Sequence, residues 1–119
     1  MATRSNIGIR ETDGTVKTIY SHWDGYPQHV GRILLAHYRD EESVRALIDL
    51  GDISELHETL DTVVAYHRDR GEEKATLIVH EPGKFQRFEA YAYVFCVAKD
   101  YWYWCDEDEL KPLTQEDVT

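Results

Sequence analysis

The chain has 119 residues, of which 42% are hydrophobic and 12% aromatic, with eight tyrosines and three tryptophans; that length and ring content indicate one packed domain and exclude a disordered chain. Twenty-three acidic residues stand against 13 basic ones, a net charge of −10 with histidine neutral, which argues against direct binding of nucleic acid or of anionic membranes. No apolar run approaches the ~20 residues of a membrane span, and the opening Met1 to Asn6 lacks the apolar stretch of a secretory signal, so a cytoplasmic location is expected.

In chain order, Asn6 to Arg10 and Val16 to Tyr20 flank Asp13-Gly14, the preferred pair for a tight primed hairpin turn. The aromatic stretch from Ser21 to Pro27 carries Gly25 and Pro27 and reads as a loop. Val30, Ile33, Leu34, His37 and Tyr38 follow helical spacing and predict a first helix with one inward stripe. Asp40 is placed to cap a second helix, with Val44, Leu47 and Ile48 inward and Gly51 as a left-handed C-cap. Asp52-Ile53-Ser54-Glu55 resembles a capping box, and Leu56, Leu60 and Val63 or Val64 extend it into a third short helix.

From Ala75 to His80 the sequence is rich in β-formers, and Glu81-Pro82-Gly83-Lys84 predicts a type II turn. Tyr91 to Val97 alternates, and Tyr101 to Cys105 returns as the second arm of an aromatic hairpin. Leu110, Pro112 and Leu113 are expected to tuck against the sheet, and residues 114–119 to fray. The fold class is therefore α+β: an antiparallel sheet built from N-terminal and C-terminal hairpins, packed against two or three short helices. Cys96 and Cys105 are read as reduced thiols, their register being open at this level.

The densest stretch is His22-Trp23-Asp24-Gly25-Tyr26-Pro27. Its imidazole and carboxylate are ligand types for zinc or manganese. The favoured reading is structural: Trp23 and Tyr26 plug the core, Asp24 caps the turn and Gly25 supplies a positive φ. This segment, with Ile19-Tyr20 before it and Gly31, Leu34, Leu35, His37 and Tyr38 after it, resembles a family of small uncharacterised proteins from phages and prophages. Thr3-Arg4-Ser5, Ile7-Gly8, Leu47-Ile48, Leu50 to Ser54, His67 to Glu72, Tyr91, Tyr93, Phe95, Trp102, Leu110 and Pro112-Leu113 extend the likeness over most of the chain. Ser21, where relatives often have Cys, and the acidic run Asp106 to Glu109 depart from it. The resemblance implies a provenance and offers no catalytic residue. Small viral chains of this kind often inhibit host enzymes or defence systems, which is an association and not a mechanism.

Among other constellations, His67-Arg68-Asp69 superficially matches a kinase catalytic loop, but the chain lacks the glycine-rich loop and the length a kinase needs. His57-Glu58-Thr59-Leu60-Asp61 misses the second histidine of a zinc hydrolase motif. A rhythm of carboxylates, Asp49, Asp52, Glu55, Glu58 and Asp61, follows Asp40-Glu41-Glu42. On helices such spacing brings charges to ~5–6 Å, comparable with nucleic-acid phosphates spaced ~3.4 Å apart in rise. The expectation is a non-enzymatic binding protein without cofactor or metal. Its partner would be a host protein, a nucleic-acid-binding one where Asp40, Glu41, Glu42, Asp49, Asp52, Glu55, Glu58 and Asp61 form a DNA-imitating face. The alternative is a small metal-assisted hydrolase or nucleotide-binding protein using His22, Asp24, His67 and Asp69, with Arg68 and Arg70 on phosphate. A component that acts only as a homo-oligomer is a third option.

Overall fold

The structure is a computed structural model that describes residues 2–119. The described residues form an α+β fold, a mixed eight-stranded sheet with three short α-helices. The strands are β1 (Ser5–Arg10), β2 (Val16–Ser21), β3 (Ile53–Glu55), β4 (Val64–Ala65), β5 (Ile78–His80), β6 (Tyr91–Cys96), β7 (Tyr101–Cys105) and β8 (Lys111–Pro112). The helices are α1 (Arg32–His37), α2 (Glu41–Asp49) and α3 (Tyr66–Arg70). Strand order is β4-β3-β2-β1-β6-β7-β8, with β5 also paired to β2.

Both expected hairpins form, β1–β2 and β6–β7. They are joined through β1 and β6, which run parallel in register from Ser5↔Tyr91 to Arg10↔Cys96. A second parallel contact sets β3 beside β2 at Ser21↔Ile53. The sheet is thus mostly antiparallel but not wholly so, because the long excursion between the hairpins carries the chain back to the starting edge. The first turn also differs from expectation. Gly14 takes φ 93° while Asp13 keeps a negative φ, and Gly14 N–H donates to Glu11 O at 2.9 Å. That is a three-residue loop with glycine in the left-handed position, not a primed two-residue turn.

Alternation along the strands sends Ile7, Ile9, Ile19, Tyr93, Phe95, Trp102 and Trp104 to one face, where they pack with Val30, Ile33, Leu34, Val44, Leu47 and Ile48. Three turns of apolar spacing do produce a helical segment after Pro27, but its first turn, Pro27–Gly31, is π-helical before α1 begins. His37, expected inward, is exposed, and Tyr38 lies past the helix end yet is buried. The α2 caps form as read: Ser43 N–H donates to the Asp40 carboxylate at 2.8 Å, and Gly51 takes φ 79°. On the opposite sheet face Val16, Thr18, Ala92 and Val94 are also buried. The 81–90 segment is tied there by Phe88 and Glu89 N–H groups donating to Asn6 Oδ1. Its turn forms as expected, with Gly83 at φ 75° and Lys84 N–H donating to Glu81 O at 2.9 Å.

The expected third helix from Asp52 is absent, and residues 53–55 are β3. The open edge of β2 explains this. His22 N–H donates to Ile53 O and Trp23 N–H to Ser54 O, while the Asp52 carboxylate accepts from Tyr20 N–H at 2.9 Å instead of capping its own segment. Tertiary hydrogen bonds and burial of Ile53 and Leu56 outweigh the modest propensity of a short helix. Only Ile78–His80 of the expected 75–80 strand pairs. The C-terminal residues do not behave as a loose end either, for Val118 is buried and Asp117 accepts from Thr114 N–H and Trp104 Nε1–H. Cys105 faces Ala92, and Cys96 faces Tyr101. Four register positions, roughly 13 Å, separate the thiols, too far for a disulfide.

Candidate functional site

The carboxylates singled out above fall on three different kinds of structure. Asp40, Glu41 and Glu42 begin α2, and Asp49 ends it. Glu41 is paired with Arg45 at 2.7 Å, and the same guanidinium grips Glu11 with two bonds of 2.9 and 2.7 Å. Asp49 lies 3.9 Å from Lys74 and is otherwise open to solvent. Asp52 is half-buried and committed to the Tyr20 amide. Glu55 sits on β3 with His57 at 3.1 Å. Glu58 and Asp61 are exposed in the 56–63 loop. The three-residue rhythm therefore does not become one helical face.

Part of the set is nevertheless brought together by a side chain that the sequence presented only as core. Tyr38 is buried, and its hydroxyl donates to His57 O at 2.9 Å, fastening the 56–63 loop to the end of α1, two residues before Asp40. Burial first, and then the charge of Glu58, push the Tyr38 hydroxyl up to about 12. From the other side Arg68 donates to Leu60 O at 2.9 Å and to Val63 O at 2.6 Å. Asp40, two residues beyond Tyr38, thus meets the loop carrying Glu58 and Asp61 at one organised junction, with Glu42 following on the first turn of α2. Among the described residues none of these four carboxylates has an ion-pair partner. The only sequence signal for this arrangement was Tyr38 closing the apolar stripe, which says nothing about its hydroxyl.

The aromatic loop is built differently from expectation. Trp23 is 39% exposed and stands edge-on to His22 at 4.6 Å between ring centres, so it does not plug the core. The positive φ falls on Asp24, at 56°, and not on Gly25. Gly25 is required for another reason: a Cβ there would lie 2.8 Å from Ser5 Cβ and 2.9 Å from Thr3 O. Its amide donates to Thr3 O at 2.8 Å, and its carbonyl accepts from the buried Tyr93 hydroxyl at 2.6 Å. The loop is held by its backbone, and its tryptophan is displayed. Asp24 accepts from the Tyr26 hydroxyl at 3.2 Å, and His22 Nδ1 shares a 2.6 Å hydrogen bond with the Tyr20 hydroxyl.

The residues of the hydrolase alternative are largely engaged within the fold. His67 Nδ1 bonds the Glu72 carbonyl at 2.8 Å. Asp69 accepts from Ala65 N–H at 2.8 Å and pairs with Arg68 at 2.9 Å, bonds that hold its carboxyl below the usual range. Arg70 lies over the Tyr66 ring at 5.2 Å and reaches Ser54 Oγ at 3.4 Å. A cleft of about 250 Å³ near α3 is lined by Tyr20, Asp52, Tyr66, His67 and Lys74. Among the described residues, no three His, Cys, Asp or Glu side chains come together as a metal ion requires, so His22 and Asp24 do not join His67 and Asp69 in such a group. No helix among these residues is long and apolar enough to cross a membrane.

No protein-family model, curated protein or solved structure matches the chain.

Proposed function

We propose that this chain is a non-enzymatic binding protein of phage or prophage origin. It acts in the cytoplasm of the host cell, where it inhibits a host factor by offering an acidic, DNA-imitating surface to a basic site. The observation that supports the reading is the junction held by Tyr38 and Arg68. There Asp40, Glu42, Glu58 and Asp61 form no ion pair among the described residues, in a chain whose net charge is −10. Carboxylates outside any ion pair leave a negative field for a partner to complement, and such fields raise association rates with basic surfaces. Asp49 extends the surface along α2, whereas Glu41 is paired with Arg45, Asp52 is committed to the Tyr20 amide and Glu55 stands beside His57.

The test is a triple charge reversal, Glu42→Lys, Glu58→Lys and Asp61→Lys, which leaves the α2 cap Asp40 in place. Immobilised protein retains a DNA-binding host protein, short duplex DNA releases it, and the triple variant retains none while keeping its melting temperature. Retention of the same partner by the variant, or no release by DNA, removes the imitation of DNA from the account.

A further inference from the structure

The sequence put phosphate on Arg68 and Arg70, and the structure occupies both of those side chains internally. Two other arginines are differently placed. A cleft of about 580 Å³ runs between α1, the start of β7 and the C-terminal segment. Its volume lies within the range of sites that take small molecules. Arg32 and Arg39 line it with Leu35, Phe95, Tyr101 and Val118. Among the described residues Arg32 uses only Nε, donating to Gln28 O at 3.1 Å, and neither terminal nitrogen of its fork makes a hydrogen bond. Arg39 makes no side-chain hydrogen bond or ion pair among the described residues. The contrast is with Arg45, Arg68 and Arg87, each of which spends at least two nitrogens on protein acceptors.

The walls of the cleft are fixed. Trp102 and Phe95 are buried and meet edge to face at 5.4 Å, Trp102 donates to Tyr38 O at 2.7 Å, and the Tyr101 hydroxyl donates to Leu113 O. A pocket whose backing does not move loses little entropy when a ligand enters. The polar opposition comes from Asp100, the one carboxylate among the described residues lining the cleft, set in the β6–β7 turn at φ 53°.

We propose that this cleft binds a small phosphorylated organic molecule, with Arg32 and Arg39 holding its anionic groups and Leu35 and the half-exposed Tyr101 ring contacting its apolar body. Guanidinium forks match phosphate oxygens bidentately and remain charged at any pH the fold survives. The chain's net negative charge opposes an anion at long range, but that field is screened beyond about 10 Å at 0.1 M salt, so the local pair decides.

The probes are ADP and inorganic pyrophosphate, titrated into isotope-labelled protein while amide shifts are followed. ADP is expected to give saturable shifts confined to residues 32–39, 100–102 and 115–118. Pyrophosphate, lacking the organic body, is expected to shift the same amides at least tenfold more weakly. The double variant Arg32→Gln with Arg39→Gln should lower ADP affinity at least tenfold with an unchanged spectrum elsewhere, whereas Arg4→Gln, away from the cleft, should not. Three results overturn the proposal: no saturable shift from either probe, shifts centred on Arg68 and Arg70 instead, or equal ADP affinity in the double variant. None of these bears on the acidic junction, so the two proposals fail separately.

Discussion

The Tyr38 hydroxyl and the His57 carbonyl, 19 residues apart, are joined by a 2.9 Å hydrogen bond at the junction where helix α1 ends and the acidic loop begins. Tyr38 is buried and the bond is partly shielded from water, so its loss leaves the carbonyl less well served. Tyr38→Phe keeps the ring and removes only the donor. It should lower stability by about 1–2 kcal/mol and speed amide exchange selectively in residues 57–62. Denaturant titration and hydrogen exchange measure the two effects, and uniform exchange across the chain would show that the bond does not organise the loop.

Two tryptophans separate by burial. Trp102 is 1% exposed and its indole nitrogen donates to Tyr38 O, whereas Trp23 is 39% exposed and its indole makes no hydrogen bond among the described residues. Trp102→Ala should cost ~3–5 kcal/mol, enough to unfold a marginal domain. Trp23→Ala should cost about 1 kcal/mol or less. Thermal melts of the two variants decide it, and a Trp23→Ala protein that melts as badly as Trp102→Ala would restore a core role for the loop ring.

The same pair shows where the sequence was readable. Alternation from Tyr91 to Cys105 gave both strands and their inward rings, because period-two burial on a central hairpin leaves little choice. Asp40 and Gly51 were legible as caps because their roles are local. Trp23 was not, since ring size alone does not say whether a loop turns its ring inward. Nor was β3: Asp52 and Glu55 carry helix-start chemistry, and the competitor was a vacant edge of β2 more than 30 residues away in sequence. The acidic junction shared that blindness. Its members are distant in sequence, and Tyr38 and Arg68 bring them together through backbone carbonyls, which leave no trace in residue type.

Two groups give stability a pH dependence with separate windows. Glu11 is held at about 2, chiefly by its hydrogen bonds with Arg45, against an ordinary value of 4.5. Its folded value is lowered, so its contribution is complete above about 4.5 and is lost as pH falls from there toward 2. His80 lies between Phe85 and Phe88, ring centres at 5.0 and 5.5 Å, and desolvation lowers it below 6.5. The fold therefore prefers neutral imidazole, and the unfolded chain takes up a proton first. Stability from this residue is complete above 6.5 and declines below it. Denaturation midpoints measured against pH should fall in two stages. Glu11→Gln should flatten the lower stage and His80→Leu the upper, and an upper stage that survives His80→Leu would assign it to another group.

The last six residues carry a further consequence. Val118 is 3% exposed, and a Cβ added to Gly31 would come within 3.3 Å of its Cγ1, so the terminus is packed on the turn that leads into α1. Asp117 fixes that approach, accepting from Thr114 N–H at 2.9 Å and from Trp104 Nε1–H at 3.2 Å. Fully burying one valine stabilises by about 1.5–3 kcal/mol, and a buried indole donor left without its acceptor adds to the loss. A chain ending at Leu113 should therefore be about 2–4 kcal/mol less stable, where a loose tail would make no difference. Val118→Ser should reproduce most of the loss without shortening the chain, which separates packing from length. A truncated chain with the melting temperature of the full protein would return residues 114–119 to the status of a dispensable tail.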